Sequence, residues 1–185
     1  MVEHPTLKTE RLILRPFVPT DAPEVQQLAG DRDVASTTMH IPHPYEDGMA
    51  EEWIAAYQKR FDRGEQVRFA ITHREQDYLI GAIDLWAINK QHEKAEIGYW
   101  IGKPYWNLGY CTEAAHVVLQ YGFETLGLNR IYATHFSRNP ASGRVMRKIG
   151  MRHEGHLRQD GKKWGNYEDF ETYAILRSEY TTQHE

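Results

Sequence analysis

Residues 96–127, EIGYWIGKPYWNLGYCTEAAHVVLQYGFETLG, join a strand to a long helix through a loop that runs from Gly102 to Gly109. Upstream, Ala95, Ile97, Tyr99 and Ile101 mark one face of the strand, and Glu96, Gly98 and Trp100 the other. Downstream, Ala115, Val118, Leu119, Gly122 and Leu126 keep the spacing of one helix face. Amides at such a helix start have no internal partners, and the helix dipole adds partial positive charge there. A diphosphate is the natural ligand of that geometry. Gly109 lets the backbone approach closely, while the small Cys111 and the hydroxyl-bearing Thr112 line the first turn. The loop is neither a Walker loop nor GxGxxG. Tight strand-to-helix turns also use glycine for geometry alone, so the loop by itself leaves both readings open.

The rest of the chain surrounds this unit with an α/β pattern. Residues 11–17 read as a first strand, in which Leu12 and Leu14 alternate with Arg11, Ile13 and Arg15 before Pro16 ends the pairing. Thr20 and Asp21 open a helix that Gly30 stops. Over 45–61, Met49, Trp53, Ala56, Tyr57 and Phe61 fall near helical spacing, and Gly64 terminates the element. Strands follow at 67–72, 78–86 and 93–101, with connectors short enough for an antiparallel meander. Behind the long helix come a strand at 130–136, a helix at 139–149 closed by Gly150, and strands at 151–157 and 170–176 joined by the polar stretch RQDGKKWGNYED. This order predicts a mixed α/β fold with a mostly antiparallel central sheet and flanking helices. A chain of 185 residues has room for one sizeable core, so a single domain over 1–185 is expected, with its core at about 7–178 and frayed ends in MVEHPT and TTQHE.

Charge and cysteine content narrow the function. A formal net charge of −4 weighs against nucleic-acid or anionic-membrane binding as the main activity. One cysteine forms neither an intrachain disulfide nor a Cys-rich zinc site, and the ten histidines are scattered without the HExxH spacing, so no metal is expected. No apolar run reaches the roughly 18 residues of a transmembrane helix, and the N-terminus lacks a basic segment followed by an apolar core. A cytoplasmic protein is the default expectation; a homodimer is left open.

Four separated segments, TERLILRPFVPTDA, AEIGYWIGKPYWNLGYCTEAA, LNRIYA and NPASGRVMRKIGMRHEG, occur in an order and spacing that resembles the GNAT acyl-CoA N-acyltransferase superfamily. The branch it resembles is the RimJ/RimL type, whose best-known members acetylate ribosomal-protein N-termini. The resemblance covers nearly the whole chain. It implies an acetyl-CoA-dependent N-acetyltransferase, with the donor's diphosphate on a loop of pattern Arg or Gln, two residues, Gly, one residue, Gly or Ala. Here that pattern reads Trp106, Asn107, Leu108, Gly109, Tyr110, Cys111; Trp106 and Cys111 depart from it, which leaves phosphate binding to the backbone. The donor site so implied comprises Trp100, Ile101, Trp106, Asn107, Leu108, Gly109, Tyr110, Cys111, Thr112 and Asn139.

Acyl transfer from a thioester to an amine needs the two reactants in register, removal of a proton and stabilisation of the leaving thiolate. Asn139 and Pro140 read locally as a helix start. The resemblance sets that Asn beside the pantetheine arm and makes Ser142, or a Tyr on a neighbouring element, the hydrogen-bond donor to sulfur. Glu96, a carboxylate inside an apolar strand, wants an ion pair or a wet cleft, and the resemblance makes it the base that receives the amine's proton. Glu93 and Asp84 are reserve carboxylates that read as edge or pairing residues, and Cys111 reads as a small first-turn residue rather than a nucleophile. The acceptor site is expected beside 93–101, bordered by 38–47 and by 158–169, where Glu168 and Asp169 would attract a cationic amine. The acceptor itself, a protein N-terminus or a small amine, is not chosen. A non-catalytic CoA-binding or sensor domain on the same fold is the alternative.

Overall fold

In the computed structural model, which describes residues 4–184, the alternating segments form one eight-stranded sheet. Its strands are β1 (Leu7–Lys8), β2 (Leu12–Arg15), β3 (Val67–His73), β4 (Leu79–Asn89), β5 (Lys94–Ile101), β6 (Arg130–Phe136), β7 (Arg152–Lys163) and β8 (Asn166–Leu176). They lie in the order β1-β2-β3-β4-β5-β6-β8-β7. Every neighbouring pair is antiparallel except β5 and β6, which run parallel because a helical crossover joins them.

The helices are α1 (Ala22–Ala29), α2 (Arg32–Ser36), α3 (Met49–Asp62), α4 (Tyr110–Gln120), α5 (Pro140–Lys148) and α6 (Arg177–His184). On one face of the sheet Val25 and Leu28 of α1 and Ala50 of α3 bury against Ala70 and Leu79. On the other, Ala115, Val118 and Leu119 of α4 and Met146 of α5 bury against Phe69, Leu85, Ile97 and Ile131. The mixed α/β fold with a mostly antiparallel sheet is therefore the one the strand pattern predicts. No helix among the described residues is long and apolar enough to cross a membrane.

Four local expectations need correction. The short α2 was missed because five residues carry no periodic stripe; Asp31 caps it, its side chain accepting from the Asp33 amide at 2.8 Å. The long helix is α-helical only to Gln120 and closes with a π turn over Tyr121–Thr125. The polar stretch read as a loop at 158–169 is instead the outer half of the β7–β8 hairpin, turned at Trp164 and Gly165, both at positive φ (49° and 86°). Polar residues fill both faces there, so the alternation that betrays a strand is missing. Nor are the ends simply frayed: the His4 ring lies 2.8 Å from the Arg68 carbonyl and packs on Phe69, and residues 177–184 form α6. Residues 1–3 and 185 lie outside the described residues.

One feature of the register positions the site. β5 and β6 pair only at Lys94–Arg130, Ala95–Ile131 and Glu96–Tyr132. Beyond Glu96 the two parallel strands part, and the gap between them opens into a cleft of about 920 Å³ that reaches from the start of α4 to the segment after α2.

Candidate functional site

At the α4 end of the cleft the backbone does the work. Gly109 holds the cap position of α4 at φ 83°, and Asn107 is also left-handed at φ 62°. The ladder begins with the Glu113 amide donating to the Gly109 carbonyl at 3.1 Å, so the amides of Tyr110, Cys111 and Thr112 come before it and are not used by the helix. Arg11, from the turn before β2, holds this loop in place. Its guanidinium donates to the Leu108 carbonyl at 3.0 Å, pairs with Glu113 at 2.7 Å and lies over the Tyr110 ring at 4.6 Å. Burial pushes the Glu113 carboxyl up, but hydrogen bonds from Thr9 and Arg11 outweigh it and hold the group below its ordinary value. The Trp106 indole donates to the Ile101 carbonyl at 2.6 Å, so this departure from the family pattern braces the loop. Burial pushes the Cys111 thiol up, away from the thiolate that a nucleophile requires.

At the apex of the gap, side chains take over. Asn139 holds the cap position of α5 with Pro140 next, yet its side chain makes no capping bond; it borders the cleft instead. The Tyr99 hydroxyl, from β5, lies 3.0 Å from Ser142 Oγ and 3.2 Å from the Ser142 carbonyl. Burial pushes the Tyr99 phenol up, so it keeps its proton. Sequence reasoning read Tyr99 only as a core residue, because its alternation with Ile97 and Ile101 is that of a buried strand face.

Across the sheet stands Glu96. Thr134 Oγ1 donates to it at 3.2 Å, and burial raises its carboxyl from the ordinary 4.5 to about 7, with hydrogen bonds from Thr134 and Tyr132 opposing. Asp84 is engaged: Arg68 pairs with it at 3.1 Å and Gln66 donates to it, the pairing role expected from the sequence. Arg144 and Lys148 of α5 also border the cleft and bring positive charge to it; the sequence analysis did not single them out.

Every donor-site and catalytic residue expected from the sequence borders this one cleft, and the 38–47 segment contributes Thr38, Met39, His40, Ile41, Pro42 and Tyr45 to it. The expected acids do not join them. Glu168 pairs with Arg138 at 2.8 Å and Asp169 accepts from the Gln159 amide at 2.7 Å, so neither is held out to an incoming amine. Among the described residues no three His, Cys, Asp or Glu side chains gather as a metal-ligating group.

A helix start with unused amides suits a phosphate-bearing ligand, and the gap between parallel strands puts polar groups on both sides of the path such a ligand would take. The Acetyltransferase (GNAT) domain family matches residues 11–152, and the chain belongs to that family. The uncharacterized N-acetyltransferase YoaA of Bacillus subtilis is 36% identical over 182 residues, covering 94% of this chain and 97% of that protein. A crystal structure of spermidine N-acetyltransferase from Vibrio cholerae in complex with CoA and spermine is similar at TM-score 0.81 and 28% identity, covering 94% of this chain and 99% of that one. The GNAT-family acetyltransferase from Bacillus anthracis is similar at TM-score 0.81 and 32% identity, again over 94% of this chain and 99% of the other. The protein is an N-acetyltransferase with acetyl-CoA as its donor.

Proposed function

We propose that the protein acetylates a primary amine by direct attack in a ternary complex, with Glu96 receiving the amine's proton and Ser142, coupled to Tyr99, stabilising the departing sulfur. One observation carries this reading: Glu96 faces one side of the sheet and the Tyr99–Ser142 pair the other, at the point where β5 and β6 stop pairing. A thioester threaded through that gap has a base on the side from which an amine enters and a hydrogen-bond donor on the side from which the thiol leaves. As the amine nitrogen bonds to the carbonyl carbon and the carbon–sulfur bond breaks, Glu96 gains the proton that nitrogen sheds. The Ser142–Tyr99 pair supplies a hydrogen bond that stabilises the departing thiolate, which takes its proton from solvent as CoA leaves. Amides of Tyr110, Cys111 and Thr112 hold the diphosphate, and Asn139 steadies the arm that links it to the thioester.

A carboxyl near 7 suits this task, because a base whose pKa lies near neutral pH is substantially ionised there and more basic than an ordinary carboxylate. The acceptor is a protein N-terminus or a small amine; spermine in the related Vibrio cholerae structure favours the small amine. Thiol release from acetyl-CoA across an amine panel tests the proposal. Release with at least one amine is expected. CoA binding without release for any amine would return the chain to a non-catalytic CoA-binding role.

A further inference from the structure

We infer that the acceptor is a small monoamine whose apolar body stacks on aromatic rings, rather than a polyamine or a protein N-terminus. This deepens the reading above and rests on it, since it takes Glu96 as the mark of where the amine sits.

The face of β4 and β5 beside Glu96 is built for such a body. Across the two strands Trp86 stands opposite Glu96, Asp84 opposite Gly98 and Ala82 opposite Trp100. Gly98 leaves this face without a side chain, and Asp84 and Trp86 close over it: a Cβ there would lie 2.9 Å from Asp84 Oδ1 and 3.5 Å from Trp86 Nε1. Trp86 and Trp100 flank this position on the same face, and Tyr45, Trp53 and Phe170 border the same cleft. Indole rings on either side of the Glu96 carboxylate favour a flat or branched hydrocarbon body on the amine.

Charge in the same region suits one cation only. Asp84 and Glu96 are the carboxylates bordering the cleft among the described residues. Asp84 is already held by Arg68, whose guanidinium lies over the Trp53 ring at 4.2 Å. Glu96 is left for the substrate nitrogen. A second ammonium on the acceptor would find no second unpaired carboxylate there, and beside Arg68 like charge opposes it.

The outer end is strapped. Lys163 near the hairpin tip donates to the Ile41 carbonyl at 2.6 Å and to that of Met39 at 3.3 Å, and Arg138 donates to the Ser36 carbonyl at 2.7 Å. These bonds tie the β7–β8 side of the cleft to the 36–41 segment that forms its opposite rim. A polypeptide trailing from its N-terminus has less room beside a rim held in this way. A small amine needs less.

The test compares 2-phenylethylamine, n-butylamine, spermidine and trialanine by thiol release at saturating acetyl-CoA. Phenylethylamine is expected to exceed spermidine and trialanine by about 100-fold in kcat/KM, and butylamine to fall between. In Trp86→Ala the KM for phenylethylamine should rise about tenfold while that for acetyl-CoA is kept, and Trp86→Phe should recover most of the loss. The panel on the unaltered protein decides the matter even if a Trp86 variant does not fold. Preference for spermidine or trialanine, or equal rates for all four, overturns this inference and leaves the proposed activity standing. No release with any amine overturns both.

Discussion

The Tyr99 hydroxyl and Ser142 Oγ lie 3.0 Å apart although 43 residues separate them in the chain, and the contact spans the gap that β5 and β6 leave open. It joins a strand of the antiparallel meander to the first turn of α5, so in the proposed reaction the donor to the leaving sulfur would be a pair and not a lone serine. A serine hydroxyl alone is a poor acid; a buried phenol behind it orients its proton and can replace it.

The pair should fail as a unit. Ser142→Ala and Tyr99→Phe are each expected to lower kcat by roughly 10- to 100-fold with CoA affinity nearly kept, and the double variant to lose little more than the worse single one. Stopped-flow or steady-state thiol release, with calorimetry for CoA, checks this. Fully additive losses would show that the two groups act independently.

Glu96 should set an acid limb in the pH profile. With its carboxyl raised to about 7, kcat at saturating amine is expected to climb through that pH, and Glu96→Gln to lack this limb, differing least from the native enzyme at acid pH and losing most above pH 7 until free amine becomes abundant. The same shift has a stability consequence. The unfolded chain gives up this proton near 4.5 and the folded one only near 7, so rising pH through that window favours unfolding. Glu96→Gln should therefore match the native protein at pH 4 and be more stable at pH 8 by about 1–2 kcal/mol, solvent in the cleft screening part of the effect. Denaturant titrations at the two pH values measure it; a variant less stable at pH 8 contradicts the burial account.

Gly109→Val should weaken CoA binding sharply, by about tenfold or more, because φ 83° is strained for a β-branched residue and the amides of the next turn lose their aim. Calorimetry on the folded variant reads this directly. Unchanged affinity would move the phosphate site away from this loop.

Glu171 lies between two histidines, 2.6 Å from His153 and 2.7 Å from His156, and Ser137 also donates to it. Hydrogen bonds from His156, Ser137 and His153 hold its carboxyl down at about 2. An acid with a depressed pKa stabilises the fold above its ordinary value, and that support is lost as pH falls toward 2. Glu171→Gln is expected to lower Tm by a few °C at pH 6 and by little near pH 2, since the cluster is solvent-facing. Thermal scans at both pH values check it, and an equal drop at each would assign the loss to packing.

Much of the fold is legible in local pattern. Leu12 and Leu14, the 67–101 meander and the stripe from Ala115 to Leu119 announce their elements because burial on one face imposes a period that neighbours in sequence display. The outer hairpin and α2 do not, since the first is polar on both faces and the second is too short for a stripe. Among site residues, Gly109 is visible because a left-handed cap is a property of the local backbone, and Glu96 because a carboxylate is out of place in an apolar strand. Arg144 and Lys148 are not, because a charged helix face looks the same whether it meets water or a cleft.

Local chemistry, then, is what the amino-acid order alone determines here: which segments are strands and helices, which loop can hold a phosphate and which acid is out of place. Partnership between distant side chains is what only the tertiary structure decides. Asp84 is spent on Arg68, Glu168 on Arg138 and Trp106 on the Ile101 carbonyl, whereas Glu96 is left facing the gap and Tyr99 meets Ser142 across it. The reason is physical. Hydrogen bonds and ion pairs act over a few ångströms, and which groups come that close depends on strand order, on register and on where β5 and β6 stop pairing.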